Sequence, residues 1–240
     1  MHYKIGVIIP AYNSGKTLSK LFERIPRNIM EGQNRIIVVN DGSCDNTPDI
    51  IDTLRRRYNN LTVITCAKNA GYGAAQKLGF KQALSEGMDV AVLLHADGQY
   101  PPEIMGEMLR PIIERKAEVV GGSRFLKGNV LGQGMPFLRY AGQVILNMLE
   151  NLVFRRKLSI YHSGYRAYSR KALEAINFDS YSDYFYFDTE MLIGGFLNNL
   201  KVHEVPIPTC YGEERSHLNP LKYCSGIILI LLRYVFKGYG

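Results

Sequence analysis

Within the first 125 residues, five short runs rich in Val, Ile and Leu alternate with amphipathic segments. Each run ends on polar or glycine-containing residues. Uninterrupted apolar runs suit strands buried on both faces, and the alternation predicts a mostly parallel α/β sheet with helices on both sides. The strands are expected at Lys4–Pro10, Arg35–Asn40, Leu61–Cys66, Asp89–Leu94 and Glu118–Gly122. Helices are expected between them at Lys16–Arg27, Thr47–Tyr58, Gly73–Glu86 and Pro102–Arg115. In such sheets ligands bind beyond the carboxyl ends of the strands. Those ends carry Pro10-Ala11-Tyr12-Asn13, Asn40-Asp41-Gly42-Ser43, Lys68 to Gly73, His95-Ala96-Asp97 and Gly122-Ser123-Arg124. One shared crevice is therefore expected.

After Phe125 the regular alternation stops. Lys127–Gly134 reads as a mobile loop, Pro136–Asn151 and Phe187–Asn199 as helices, and Ser163–Arg170 and Val202–Pro206 as short strands. Asn219–Phe236 reads as a nearly apolar, amphipathic helix, with four Lys/Arg residues and no acid from Arg215 onward. With no internal repeat, the 240 residues are read as one domain. It has a nucleotide-binding half (1–125), an acceptor half (126–218) and a C-terminal helix (219–240). The N-terminus reads as a first strand, not as a cleavable leader. The most apolar stretch, Tyr223–Leu232, gives ten uncharged residues and falls short of the about 20 that a membrane-spanning helix needs. The net charge of +7 points to an anionic partner. The four cysteines lack the paired spacing of a zinc site or a disulfide framework.

Several motifs have a bland and a chemical reading. Ser14-Gly15-Lys16-Thr17 resembles the tail of a phosphate-binding loop, but Pro10 stands where that loop needs glycine. A loop leading to a helix capped by Asn13 or Ser14 fits better. Gly71-Tyr72-Gly73 lacks the third glycine of a dinucleotide fingerprint, since Gln76 takes that place. Asp41 is either a turn residue or an acceptor for a base or ribose. Asp97 with Gln99 either caps the helix near Pro101 or presents oxygen ligands to a hard cation such as Mg2+ or Mn2+. His95 reads as a packed strand-end residue. The basic runs Arg55-Arg56-Arg57 and Arg155-Arg156-Lys157 lack aromatic stacking partners and read as solvated faces, not as a nucleic-acid site.

Taken in order, VIIPAYN, VVNDGSCDNT, NAGYGAA, HADGQYPPE, GGSRF, HSGYRAYSR, YFDTE and EVPIPTCYGEERSHLNP resemble the family 2 glycosyltransferases, in particular the dolichyl-phosphate mannosyltransferase-like branch. The resemblance implies the GT-A fold and a nucleotide-sugar donor, GDP- or UDP-linked. It implies that Pro10, Ala11, Tyr12, Asn13, Asp41, Ala96, Asp97 and Arg124 line the donor site. Asp97 matches the second acid of the family's D-x-D motif, with Gln99 as its metal neighbour, and His95 stands at the first acid. Arg124, Arg139, Ser163 and Arg166 lie in segments implied to meet an acceptor phosphate. Ile160 stands where similar sequences carry an acid. Asp97, Asp188 and Arg166 are the implied catalytic residues, with Glu190 as a further base candidate.

The expected reaction is inverting transfer of a sugar to a polyprenyl phosphate at the cytoplasmic face of a membrane, in cell-envelope synthesis. An acceptor of that kind is already anionic and tolerates Ile160. The alternatives are transfer to a saccharide hydroxyl by a soluble enzyme, or an impaired nucleotide-sugar-binding relative. The C-terminal helix is read as lying in headgroups, packing on the sheet or forming a dimer contact.

Overall fold

A computed structural model describes residues 3–126, 130, 135–208, 220–236 and 238. The expected loop at Lys127–Gly134 lies outside these residues apart from Val130, as does the 209–219 part of the last motif. Among the described residues there are seven strands: β1 (Ile5–Ala11), β2 (Arg35–Asn40), β3 (Leu61–Thr65), β4 (Val90–Leu93), β5 (Val119–Ser123), β6 (Arg166–Ser169) and β7 (Val202–Pro206). They form one sheet in the order β3-β2-β1-β4-β6-β5-β7. All pairings are parallel except those of β6, which runs antiparallel to both β4 and β5. The helices are α1 (Leu18–Arg24), α2 (Arg27–Met30), α3 (Thr47–Arg57), α4 (Tyr72–Ser85), α5 (Met105–Ile113), α6 (Phe137–Phe154), α7 (Arg170–Ala175), α8 (Phe187–Leu197) and α9 (Pro220–Val235).

The continuous apolar runs are explained by two cores, one on each face of the sheet. Val7 and Ile9 of β1 point to one core with Ile36, Val38, Val90 and Val92, beneath Leu18, Phe22 and Met105. Ile8 points to the other with Ile37, Val39, Ala91 and Leu93, beneath Phe80, Phe187 and Met191. Each such Val or Ile, at 0% exposure, contributes about 1.5–3 kcal/mol of burial. Helix α4 packs so closely that a Cβ on Gly79 would stand 2.3 Å from Ile8 Cγ2.

Local chemistry moves some boundaries. The helix expected at Lys16–Arg27 breaks at Ile25, whose extended backbone (ψ 127°) is what a following proline imposes. After Pro26 the chain restarts as α2. The residues expected to cap this region do other work. Helix α1 begins at Thr17 without a side-chain cap, while Asn13 and Ser14 bind the neighbouring loop. Helix α7 was not expected. Ser169 Oγ caps it by accepting from Ala172 N at 3.1 Å.

Helix α9 settles onto the second core through Ile227 and Ile230. Its opposite face leaves Ile228, Leu229, Leu232 and Val235 about half exposed or more. Among the described residues, no helix is long and apolar enough to cross a membrane.

Candidate active site

The carboxyl ends of β1, β2 and β4 lie side by side, because β1 pairs with both neighbours in parallel. The three loops that leave β1, β2 and β3 are bonded into one rim. Asn13 Oδ1 accepts from Cys44 N at 2.9 Å, Ser14 N donates to Thr47 Oγ1 at 2.7 Å, and Gly15 N donates to Asp45 Oδ2 at 3.1 Å. Asn13 adopts a left-handed backbone (φ 50°), a conformation asparagine tolerates better than most residues. The bonds from Thr47 and Gly15 outweigh desolvation and hold the Asp45 carboxyl below its ordinary range.

Asp41 is buried, and its carboxylate accepts Ala70 N at 2.7 Å and Gly71 N at 3.0 Å. It therefore fixes the loop after β3. Gly42 makes the approach possible, since a Cβ there would meet the Lys68 carbonyl carbon at 2.4 Å, and its φ is +67°. Tyr12 is 41% exposed on this rim.

The second half of the crevice centres on a buried chain of polar groups. Tyr72 Oη donates to Asp188 Oδ2 at 2.8 Å, and Gln76 Nε2 donates to Asp188 Oδ1 at 3.2 Å. Tyr72 Oη also lies 2.9 Å from His95 Nε2. Tyrosine has one proton to give, and Asp188 takes it, so His95 Nε2 carries its own hydrogen and donates to Tyr72. Burial, then the Asp188 charge, push the Tyr72 hydroxyl pKa well above its ordinary value and keep it neutral. The His95 ring also meets Tyr100 edge-on at 5.0 Å. Gly164 passes so close that a Cβ would stand 2.3 Å from that ring. His95 is thus a packed strand-end residue whose Nε2 is not open to a cation.

Asp97 and Gln99 follow β4 and are half-buried. Asp97 Oδ1 accepts Gln99 N at 3.0 Å, so Asp97 closes a local turn and does not cap the helical turn after Pro101. No group of three or more His, Cys, Asp or Glu side chains among the described residues is placed to hold a metal. A carboxylate and an amide are oxygen donors of the kind a hard cation takes, since Mg2+ is held by one or two carboxylates with substrate phosphates.

The implied acceptor residues divide. Arg124 is half-buried just after β5. Arg139 belongs to α6, but its side chain lies outside the described residues. Arg166 is 1% exposed, and its guanidinium donates to the carbonyls of Ser163 and Tyr161. It holds the segment before β6 from beneath and does not face solvent. Ser163 Oγ is buried with no hydrogen-bond partner among the described residues.

Ile160 is buried, and its N–H donates to Glu204 Oε1 at 3.1 Å. Glu204 also accepts Ser159 N at 2.8 Å and Ser159 Oγ at 2.7 Å. Three bonds make it an anchor for this segment. The sequence reading missed Glu204, Tyr72 and the cluster formed by Glu150, His162 and Tyr223. In that cluster His162 Nε2 lies 2.8 Å from Glu150 Oε2, and His162 Nδ1 lies 2.6 Å from Tyr223 Oη. The signal for Glu150 was present as the single acid of a largely apolar helical stretch.

Residues 6–176 match the model of glycosyl transferase family 2. The chain belongs to that family. The motif resemblance and the expected fold are both borne out, and the protein is a family 2 glycosyltransferase. It is 32% identical over 221 residues to a UDP-N-acetylglucosamine–dolichyl-phosphate N-acetylglucosaminyltransferase of Methanococcus voltae, covering 87% of this chain and 86% of that one. It is 33% identical over 238 residues to a dolichol-phosphate mannosyltransferase of Pyrococcus furiosus, covering 98% of this chain and 63% of that one. A crystal structure of glucosyl-3-phosphoglycerate synthase from Mycobacterium tuberculosis, in complex with Mn2+, UDP and phosphoglyceric acid, superposes with a TM-score of 0.67. It is 17% identical and covers 99% of this chain and 79% of that one, a likeness of fold.

Proposed function

We propose that this family 2 enzyme transfers a sugar from a nucleoside diphosphate to a polyprenyl phosphate at the cytoplasmic surface of a membrane. The observation that carries the acceptor class is the state of the carboxylates beside the acceptor segment. Asp188, Glu190 and Glu204 each accept hydrogen bonds from protein donors, and position 160 holds isoleucine. A hydroxyl acceptor needs a general base within reach. A phosphate monoester, with a second pKa of about 6, is already a nucleophilic anion. Relatives named for dolichyl-phosphate transfer support the same class.

In the proposed step, an acceptor phosphate oxygen bonds to the anomeric carbon as the bond from that carbon to the donor diphosphate breaks. The anomeric centre inverts and the nucleoside diphosphate leaves. Pro10, Ala11, Tyr12, Asn13 and Ala96 would line the nucleoside, with Asp41 fixing the rim that meets the base. Asp97 and Gln99 would hold Mg2+ or Mn2+. When bound, such a cation supplies charge neutralisation for the leaving diphosphate. Arg124 and Arg139 would meet the acceptor phosphate. Arg166 and Ser163 would shape the segment beside it, with the Arg166 cation adding positive potential from below. Asp188 is assigned as a positioning residue, because both its oxygens are taken by Tyr72 and Gln76.

Thermal stabilisation by UDP, GDP and CMP, each with and without Mn2+ or Mg2+, tests the donor half. A nucleotide at 100 times its Kd adds about 2.7 kcal/mol, a rise of about 5–10 °C in Tm for a domain of this size. The expected result is metal-dependent stabilisation by one nucleoside diphosphate, which names the base. No stabilisation by any of them would overturn the donor assignment.

A further inference from the structure

A pocket of about 420 Å³ opens between the end of α6 and the start of β7, lined by Arg156, Lys157, Leu158, Phe196, Asn199 and Lys201, with Leu200 and Val202 behind them. Arg156, Lys157 and Lys201 are exposed, and no carboxylate is among the lining residues. The Arg156 guanidinium lies over the Phe196 ring at 5.0 Å, which holds it at the pocket wall. The neighbouring acid, Glu118, is already engaged by Lys171 Nζ at 2.9 Å and by Lys201 N at 2.8 Å. Three cations therefore share one concave surface.

The pocket is not part of the donor crevice. Lys201 and Val202 stand at the amino end of β7, whereas Asp41 and Asp97 follow the carboxyl ends of β2 and β4. The five-residue strand β7 separates the two ends of the sheet by about 16 Å. Helix α6 joins them. Its start lies beside the crevice, where Tyr140 stacks on Phe125 just after β5, and its end runs into Arg155, Arg156 and Lys157.

Between these points α6 presents an apolar stripe to solvent. Ile145, Met148, Leu149 and Leu152 recur at helical spacing with exposures of 60, 65, 47 and 75%. Helix α9 lies alongside, with Tyr234 edge-on to Phe154 at 4.9 Å, and adds Ile228, Leu229, Leu232 and Val235, followed by Phe236 just past its end. The only acid in α6, Glu150, is fully buried against His162, and α9 contains none. An exposed apolar flank without acids, ending in a cationic pocket, has the chemistry of a surface that meets anionic lipid.

We propose that the pocket of Arg156, Lys157 and Lys201 binds the headgroup phosphate of an anionic phospholipid, while the α6–α9 flank lies in the acyl boundary. The site is distinct from the donor and acceptor sites. It would anchor the far end of α6 so that the crevice mouth, at the near end, meets the same membrane.

Sedimentation with vesicles of phosphatidylcholine alone, and of phosphatidylcholine mixed with phosphatidylglycerol, tests the proposal on the full chain. The expected result is tighter binding to the mixed vesicles, reduced about 30-fold in K157A/K201A, as removal of two cations near an anionic surface predicts. L152S, at an exposed position, is expected to weaken binding to both vesicle types and keep the preference. Equal binding to both vesicles, or a double variant that binds mixed vesicles like the unaltered protein, would overturn the proposal. So would thermal stabilisation by inorganic phosphate in a protein that binds neither vesicle, since the pocket would then take a soluble anion. Nucleotide-dependent stabilisation of the same samples reports separately on the donor site, so its failure counts against the proposed reaction and not against the lipid site.

Discussion

Asp97→Ala is expected to lower kcat about 10³-fold, or about 4 kcal/mol of transition-state stabilisation, while leaving the fold intact. The size follows from what the residue would do. Charge grows on the diphosphate as the bond to the sugar breaks, and a cation held against it is worth several kcal/mol. Asp97 supplies the carboxylate of the proposed cation pair, because His95 Nε2 is committed to Tyr72. The structural cost is small. Asp97 is half-buried, and among the described residues its side chain accepts a single local bond, from Gln99 N at 3.0 Å. Turnover at saturating donor, measured beside Tm, separates these effects. The expected outcome is loss of rate and of metal-dependent nucleotide binding with little change in Tm. Activity within tenfold of the unaltered enzyme would remove Asp97 from the proposed chemistry.

Asp188→Ala is expected to act in the opposite sense, mainly on stability. It would leave Tyr72 Oη and Gln76 Nε2 without their acceptor inside the protein. Gln76 Oε1 already lacks a partner among the described residues, so that side chain would lose its bond to them. Orphaning two buried donors costs about 1–3 kcal/mol each, and relief of the desolvated carboxylate offsets part of this. A net loss of about 3 kcal/mol corresponds to about 6–12 °C in Tm. Asp188→Asn retains an acceptor oxygen and is expected to lose about half as much. Denaturant unfolding measures both. A loss below about 1 kcal/mol for Asp188→Ala would show that the chain from His95 to Gln76 does not hold α4 to α8.

The first half of this fold was legible because its evidence is local. Ile36 to Val39 are uninterrupted apolar residues, and a strand covered on both faces permits nothing else. The direction of β6 was not legible, since the two-residue period of Arg166–Ser169 is the same in either sense and its pairing with β4 is made across more than 70 residues. Burial divided the implied site in a way residue types do not reveal. Arg124 and Arg166 look alike in a motif, yet Arg124 is half-buried while Arg166 is enclosed, with its guanidinium donating to backbone carbonyls. Asp41 read as a turn residue or a base acceptor and Asp188 as an implied catalytic residue, and both carboxylates are bonded to protein groups, 29 and 112–116 residues away. Tyr72 went unnoticed because its importance comes from meeting both His95 and Asp188, and no spacing encodes that meeting.

The most direct test of the central claim supplies the purified enzyme with radiolabelled nucleotide sugar, Mn2+ or Mg2+, and either a polyprenyl phosphate or the matching polyprenol. Label extracted into the organic phase is counted. The expected result is transfer to the phosphate and none to the alcohol, because only the phosphate brings its own anionic nucleophile to an acceptor segment where Asp188, Glu190 and Glu204 already accept protein hydrogen bonds. Equal transfer to the alcohol would contradict the account, since a general base would then have to be at work. Absence of transfer to either, with every nucleotide sugar bound in the stabilisation screen, would contradict it as well.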